Sequence, residues 1–276
     1  MRNKRLFSIL GIVLLVCITA VMLFPIFILL STSLKTMGEI FAYPPSFFPA
    51  KPQFINYVDV FGKLNFAPYF KNSIIISGSI VIGTLISSSL VAFGFSRYNA
   101  PGKNVLFTIV LATLMIPFPS LMIPQFIMFK SMGWVDTYKP IIIPSFFGSA
   151  YMIFLLRQFF GSLTDSLFEA ARIDGCGEFR AYWSIALPLS GPALATVAIF
   201  SFIWSWDDLL THVIYLNTPS KYTLPLLLSS LTSAHMIPPW NTMMVAALLT
   251  ALPCILLFLF CQRYFVEGIV TTGMKG

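Results

Sequence analysis

Glu169 and Asp174 stand five residues apart in the stretch Glu169-Ala170-Ala171-Arg172-Ile173-Asp174-Gly175, and Asp207 and Asp208 stand side by side at the end of a long apolar run. The two settings ask different things of a carboxylate. In the first, the alanines leave almost no side chain between the backbone and whatever approaches it, so the stretch suits a docking surface. In the second, the charges fall within or near the membrane, where a carboxylate is costly and faces a cavity or a partner. They lie some fifteen residues beyond Pro192, about 22 Å along a helix at 1.5 Å per residue. Adjacent residues do not share a helix face, so Asp207, beside Trp206, is the stronger candidate for a translocation path. If the helix ends early, both aspartates are interfacial caps.

None of these groups belongs to a catalytic constellation. The Gly102-Lys103 pair lacks the upstream glycine and the Ser/Thr of a phosphate-binding loop, and no HExxH, CxxC or nucleophile elbow occurs. The chain is therefore expected not to be an enzyme and to hold no cofactor and no metal.

The elements that must position these residues follow from composition. Hydrophobic residues make up 57% and charged residues 10% of the 276, against about 45–50% and 25% in soluble domains. The runs free of charge are 6–34, 72–96, 104–129, 140–156, 181–206 and 222–262. Each contains a stretch of about 17–25 residues, enough to cross the hydrocarbon core once. The last run is longer, but His235, Pro238, Pro239 and Asn241 mark its first half as loop. The expectation is an all-α integral membrane protein with six transmembrane helices in a single domain, 1–276.

All seven arginines fall on the cytoplasmic side when the N-terminus is inside. Counting lysines as well, the inside leads by ten to seven, the sense of the positive-inside rule. Both termini are then cytoplasmic, the loop 161–190 is cytoplasmic and the loop 216–240 is outer. The net charge of +7 reflects this anchoring to lipid, and no nucleic-acid partner is expected. The first apolar run exceeds the roughly 7–15 residues of a signal-peptide core and lacks a small-x-small exit, so it is read as a retained helix. Cys17, Cys176, Cys254 and Cys261 are placed as small apolar packers.

The spans also look bent and closely packed. The second is dense in serine and glycine, which lets helix backbones approach. The third carries Pro117, Pro119 and Pro124, the fourth Pro144 and the sixth Pro253, and proline removes a helix hydrogen bond and bends the span.

Within 161–190, Ser166 followed three residues later by Glu169 reads as a capping box, and Gly175 as the left-handed residue that ends a helix. A short helix over about 167–174 follows. After Gly177, the residues Phe179, Tyr182, Trp183 and Ala186 repeat at i, i+3, i+4, i+7. They predict a second helix at the membrane surface, its rings at headgroup level, stopped by Pro188.

The order Glu169-Ala170-Ala171, three residues, Gly175, nine residues, Ile185, one residue, Leu187-Pro188 resembles the EAA signature of the membrane subunits of ABC importers at all seven positions. Further segments are similar to the carbohydrate, maltose-type branch of that family. They are Ser33-Leu34-Lys35-Thr36 with Glu39-Ile40, Asn56-Tyr57, Gly133-Trp134-Val135-Asp136-Thr137-Tyr138, Trp206-Asp207-Asp208 and the ending Gly273-Met274-Lys275-Gly276. Where relatives often carry Asn after the tryptophan of the fifth span, this chain has Asp207.

The resemblance implies the type I ABC importer permease fold in a bacterial cell membrane. It implies a second, similar membrane subunit, two cytoplasmic ABC ATPase subunits and an extracytoplasmic solute-binding protein as partners. Glu169 would be a charge or capping contact to the ATPase, Ala170 and Ala171 the close-approach face and Gly175 the bend, with Asp174 among the ATPase-coupling residues. The tail at Gly273, Lys275 and Gly276 would reach the ATPase interface. The outer loop, with Tyr222, Pro225 and Trp240, would touch the binding protein, although the same residues also fit a packed loop. A sugar or oligosaccharide is the implied solute. An amino acid, phosphate or polyamine remains open, because the EAA motif is shared, and an ion-coupled secondary transporter is the reading from another class.

Overall fold

The computed structural model describes residues 2–234 and 238–273, with side chains from 10 to 233 and from 238 to 262. Its described elements are all helical. Four helices are long and apolar enough to cross a bilayer: Leu10–Ser33, Phe66–Arg97, Lys139–Ser162 and Trp240–Gln262. Two further spans are bent pairs, Lys103–Met115 with Phe118–Ser131 at 97° and Glu178–Leu189 with Gly191–Trp206 at 80°. Counted as one span each, these bring the total to the six expected from composition.

The bends follow local chemistry. Ile116 is extended, at φ −81° and ψ 114°, as the residue before a proline is, and Pro117 offers no amide to the turn behind it. Pro124 and Pro253 instead stay inside their helices. In the fourth span the irregular point is the 3₁₀ turn Ile143–Phe147, which contains Pro144 and leads into Gly148 at φ 92°.

One expectation fails. The segment 216–240 is not a plain loop, because Leu224–Ala234 forms a helix within it. Leu224, Leu227, Leu228 and Leu231 recur at helical spacing, and Pro225 sits in its first turn, where its missing amide costs nothing. Pro225 therefore starts a helix rather than stiffening a loop.

By its contacts the chain divides into two compact units, Met1–Pro68 with Leu227–Pro253, and Tyr69–Leu226 with Cys254–Gly276. The first is organised by Asn56, which is buried. Its Nδ2 donates to the carbonyls of Ser33 at 2.8 Å and Lys35 at 3.0 Å, and its Oδ1 accepts from Asn241 Nδ2 at 2.9 Å. The Ser33 and Lys35 carbonyls lie at and just past the end of the first helix, where intrahelical partners run out. Thr36 and Glu39 form a complete capping box around Met37–Ile40. The second oxygen of Glu39 accepts from the Ala50 amide at 3.0 Å, and these amides hold its carboxyl below its ordinary value.

The second unit is built on the span Phe66–Arg97. Ser73, Ser87, Ser88 and Ser89 are buried, and each is used as a polar contact. Ser73 Oγ accepts from the Leu224 amide at 2.9 Å, Ser87 donates to the Ser145 carbonyl at 2.8 Å, and Ser88 Oγ accepts from the Ser149 amide at 3.1 Å. At Gly83 the approach is tightest, since an added Cβ would fall 2.4 Å from Ser145 Oγ and 2.8 Å from the Phe146 ring. Gly78 and Gly94 have open space where a Cβ would be. The small residues thus serve helix approach at one glycine and hydrogen bonding at the serines.

Candidate functional site

The helix carrying Glu169 runs Asp165–Ile173, and its N-cap is Thr164 with no side-chain cap bond. The Ser166 capping box is therefore not formed. Arg97 holds Asp165 by an ion pair and takes the carbonyls of Phe160 and Leu163 at 2.5 and 2.7 Å, so the chain is gathered just before Asp165 and the helix starts earlier than sequence suggests.

Its other end is as expected. Gly175 lies at φ +75°. The Gly175 amide donates to the Arg172 carbonyl at 3.0 Å and the Cys176 amide to the Ala171 carbonyl at 2.8 Å, the pair of bonds that defines a Schellman stop. Beyond it, Arg172 closes on Glu178, with Nη2 and Nε both 3.0 Å from Oε1. This pair fixes the turn between the two short helices and was not read from sequence.

The helix turns Phe168 and Ala171 inward, Ala171 being 9% exposed. Ala171 is thus not part of an outward face, contrary to its pairing with Ala170. Glu169, Ala170, Ile173 and Asp174 are exposed, and Ile173 is 87% exposed. The outward face thus carries a bare isoleucine beside a bare alanine and two carboxylates. The alanine pair drew attention in the sequence, whereas Ile173 did not. Its signal was its place at i+3 and i+4 from Ala170 and Glu169.

The second helix also divides its expected face. Ala181, Tyr182 and Ala186 are buried, while Phe179 and Trp183 are 72% and 64% exposed. A π turn over Tyr182–Ala186 follows, the Leu187 amide reaching five residues back to the Tyr182 carbonyl. Pro188 cannot donate to the turn behind it, and the wider turn accommodates that loss. The helix accordingly passes Pro188 and breaks at Ser190, where the 80° bend begins.

The aspartates resolve by role. Asp207 caps the helix Gly191–Trp206 and is exposed. Asp208 accepts from the Thr211 amide at 3.0 Å and so caps the start of the next helix, Leu210–Tyr215, which is the interfacial alternative. Its carbonyl meets His212 Nδ1. His212 is buried, and burial pushes its imidazole below its ordinary value. Trp206 is buried between the Phe202 ring at 5.1 Å and the Phe70 ring at 5.8 Å, so it packs the core of its unit instead of lining an open path.

In the expected outer segment the structure supplies an anchor. Asp136, at φ +59°, accepts from the amides of Asn217 and Thr218 at 3.0 Å, from the Thr218 hydroxyl at 2.6 Å and from Lys221 Nζ at 2.8 Å. Lys221 and these donors hold its carboxyl well below the usual carboxylate range. Tyr222 is half-buried and donates to the Asn217 carbonyl at 3.1 Å. Trp240 opens the last helix, which runs on to Gly273. Gly273 is thus a helix end and not free tail, and Lys275 and Gly276 lie outside the described residues.

The family model described as "Binding-protein-dependent transport system inner membrane component" matches residues 79–271. This chain belongs to that family. The match covers both short helices of 161–190, the aspartates and the segment 216–240. Among the relatives of this membrane component is the arabinooligosaccharides transport system permease protein AraQ of Halalkalibacterium halodurans. It is 34% identical, over 89% of this chain and 86% of the relative. The probable starch degradation products transport system permease protein AmyC of Thermoanaerobacterium thermosulfurigenes is 31% identical over 99% and 97%. The sn-glycerol-3-phosphate transport system permease protein UgpE of Yersinia enterocolitica is 30% identical over 97% and 98%. A solved chain from a bacterial ABC transporter involved in the import of the acidic polysaccharide alginate superposes with a TM-score of 0.86, at 25% identity, over 96% of this chain and 98% of that one. The chain is therefore a multi-pass permease component of a bacterial inner membrane, and the fold is that of an ABC importer subunit.

Proposed function

We propose that this permease component carries an oligosaccharide or a related small carbohydrate into the cell, and that it is driven by separate ATPase subunits that seat on the helix Asp165–Ile173. The observation that carries the reading is the exposed surface of Glu169, Ala170, Ile173 and Asp174, closed by the left-handed Gly175 on a chain with no nucleotide-binding loop of its own.

The partners follow from the family. A second, similar membrane subunit completes the path, two ATPases supply the stroke, and an extracytoplasmic binding protein delivers the solute to the segment 216–240. Loop 161–190 then faces the cytoplasm. Asp207, exposed at the end of the fifth span, is the path residue in this reading, and Tyr222, Pro225 and Trp240 are each candidate contacts for the binding protein. The Lys275-Gly276 tail is proposed to join the ATPase contact.

The test is uptake by the complex in liposomes, offered arabinotriose, maltotriose and sn-glycerol-3-phosphate with the cognate binding protein. ATP-dependent uptake of a sugar that persists with an uncoupler supports the reading. Uptake that survives ATP depletion and collapses with the uncoupler would overturn it in favour of an ion-coupled carrier. Uptake of glycerol phosphate alone would move the solute class.

A further inference from the structure

Arg97 closes the second span, and its side chain is 8% exposed. The guanidinium meets three neighbours at once. One nitrogen donates to the carbonyls of Phe160 and Leu163 at 2.5 and 2.7 Å, in the last turn and just past the end of the helix Ala150–Ser162, where carbonyls run short of intrahelical donors. Another donates to Asp165 at 2.5 Å. The central carbon lies 4.1 Å from the ring centre of Phe168, on the buried side of the helix that presents Ile173.

The same face of the second span continues the grip. Ser89, Phe93 and Arg97 follow one another at i, i+4 and i+8, one stripe of a helix. The Phe93 ring lies 5.9 Å from Phe160, 6.2 Å from Phe168 and 5.3 Å from Tyr182. Ser89 Oγ is 2.8 Å from the Tyr182 hydroxyl. Both short helices of the loop 161–190 thus hang on one span, and each is held through a residue that is buried.

We infer that Arg97 is a positioning residue that joins the helix Asp165–Ile173 to the second span as one rigid body, so that a push on the exposed Ile173 face is delivered first to that span. The exposed half of the contact is not what holds it. The Asp165 side chain is 87% exposed, and an ion pair so open to water contributes little. The hold lies in a guanidinium that gives two carbonyls to one nitrogen while lying over the Phe168 ring, and lysine, a point cation, does not reproduce that combination.

The inference rests on the proposed ATPase partner for the origin of the push, but its test is read within this chain. Spin labels are placed on cysteines at Ser166 and Lys71, both exposed, after replacing Cys17, Cys176, Cys254 and Cys261. Lys71 lies about 39 Å up the span from Arg97 at 1.5 Å per residue. Pulsed dipolar spectroscopy is run on the assembled complex with and without ATP. The wild-type pair is expected to give one narrow distance that nucleotide leaves unchanged, and Asp165→Asn to match it. Arg97→Lys is expected to give a broadened distance that shifts with nucleotide, while ATP hydrolysis per complex is kept. Phe168→Leu, which keeps a large apolar side chain and removes the ring, provides a second variant and should broaden in the same way. A wild-type distance that moves with ATP, or variants as narrow as wild type, overturns the rigid-body assignment. The functional reading fails separately, by absence of ATP-driven uptake in the unlabelled wild-type complex.

Discussion

Lys221 Nζ lies 2.8 Å from Asp136 Oδ2, and the same ammonium bonds the Asp136 carbonyl at 2.6 Å. With the amides of Asn217 and Thr218 it pins the start of the segment 216–240 to the turn after the third span. Asp136→Asn should keep the shape of the side chain and lose the charge-assisted bonds. Hydrogen exchange in 216–222 is expected to speed up, while exchange in the second span stays at the wild-type rate.

The same clip has a pH sense. The folded Asp136 carboxyl titrates below its unfolded value, so its stabilising contribution is fully present above an unfolded value of about 3.9 and is lost as pH falls through the folded one. Between neutral pH and pH 5 the exchange rate of 216–222 should not respond to this group. Below pH 4 the rate relative to the intrinsic exchange rate at the same pH should rise in wild type and change less in Asp136→Asn.

Gly83 packs with no room for a side chain, whereas Gly78 is open. Gly83→Ala forces Ser145 or Phe146 to move, at a cost of about 1–3 kcal/mol by the usual measure of overpacking. Gly78→Ala should be neutral or slightly stabilising, because alanine is the better helix former. Thermal unfolding of the two variants in detergent separates them, with only Gly83→Ala losing melting temperature.

Gly175 has open space around it, and its constraint is the backbone at φ +75°. Gly175→Ala should therefore cost roughly 1–2 kcal/mol of left-handed strain, borne by the last turn of the docking helix. Gly175→Asn should cost less, since asparagine tolerates that conformation. The expected readout is wild-type amounts of protein in the membrane, with ATP-driven uptake reduced in the order Ala, Asn, Gly.

Span number and order were legible because lipid demands long uncharged runs whatever the neighbours do. The Gly175 stop and the Pro117 bend were legible for a similar reason, as both follow from the residue's own backbone. What the sequence did not disclose depends on partners distant along the chain. The N-terminus of the helix Asp165–Ile173 is set by Arg97, 68 residues before Asp165, and the Ser166–Glu169 pair could not show that. Ala171 and Ala170 look alike in sequence, and only the folded helix, which turns Phe168 and Ala171 inward, decides which one is covered. Phe179 and Trp183 share the spacing of Tyr182, but only Tyr182 meets Phe93 and Ser89 of the second span, a partner some ninety residues back along the chain. The helix Leu224–Ala234 was concealed by its place between prolines at 219 and 238, although its leucines already had helical spacing.

The central claim is that an ATPase seats on the face made by Glu169, Ala170 and Ile173. Ile173→Asp tests it most directly, because the side chain is almost fully exposed and the change should leave the fold intact. The measurement is the amount of ATPase that co-purifies with the permease from the membrane. The account predicts wild-type permease levels with the ATPase lost and ATP-driven uptake abolished. Wild-type amounts of bound ATPase with undiminished uptake would contradict it.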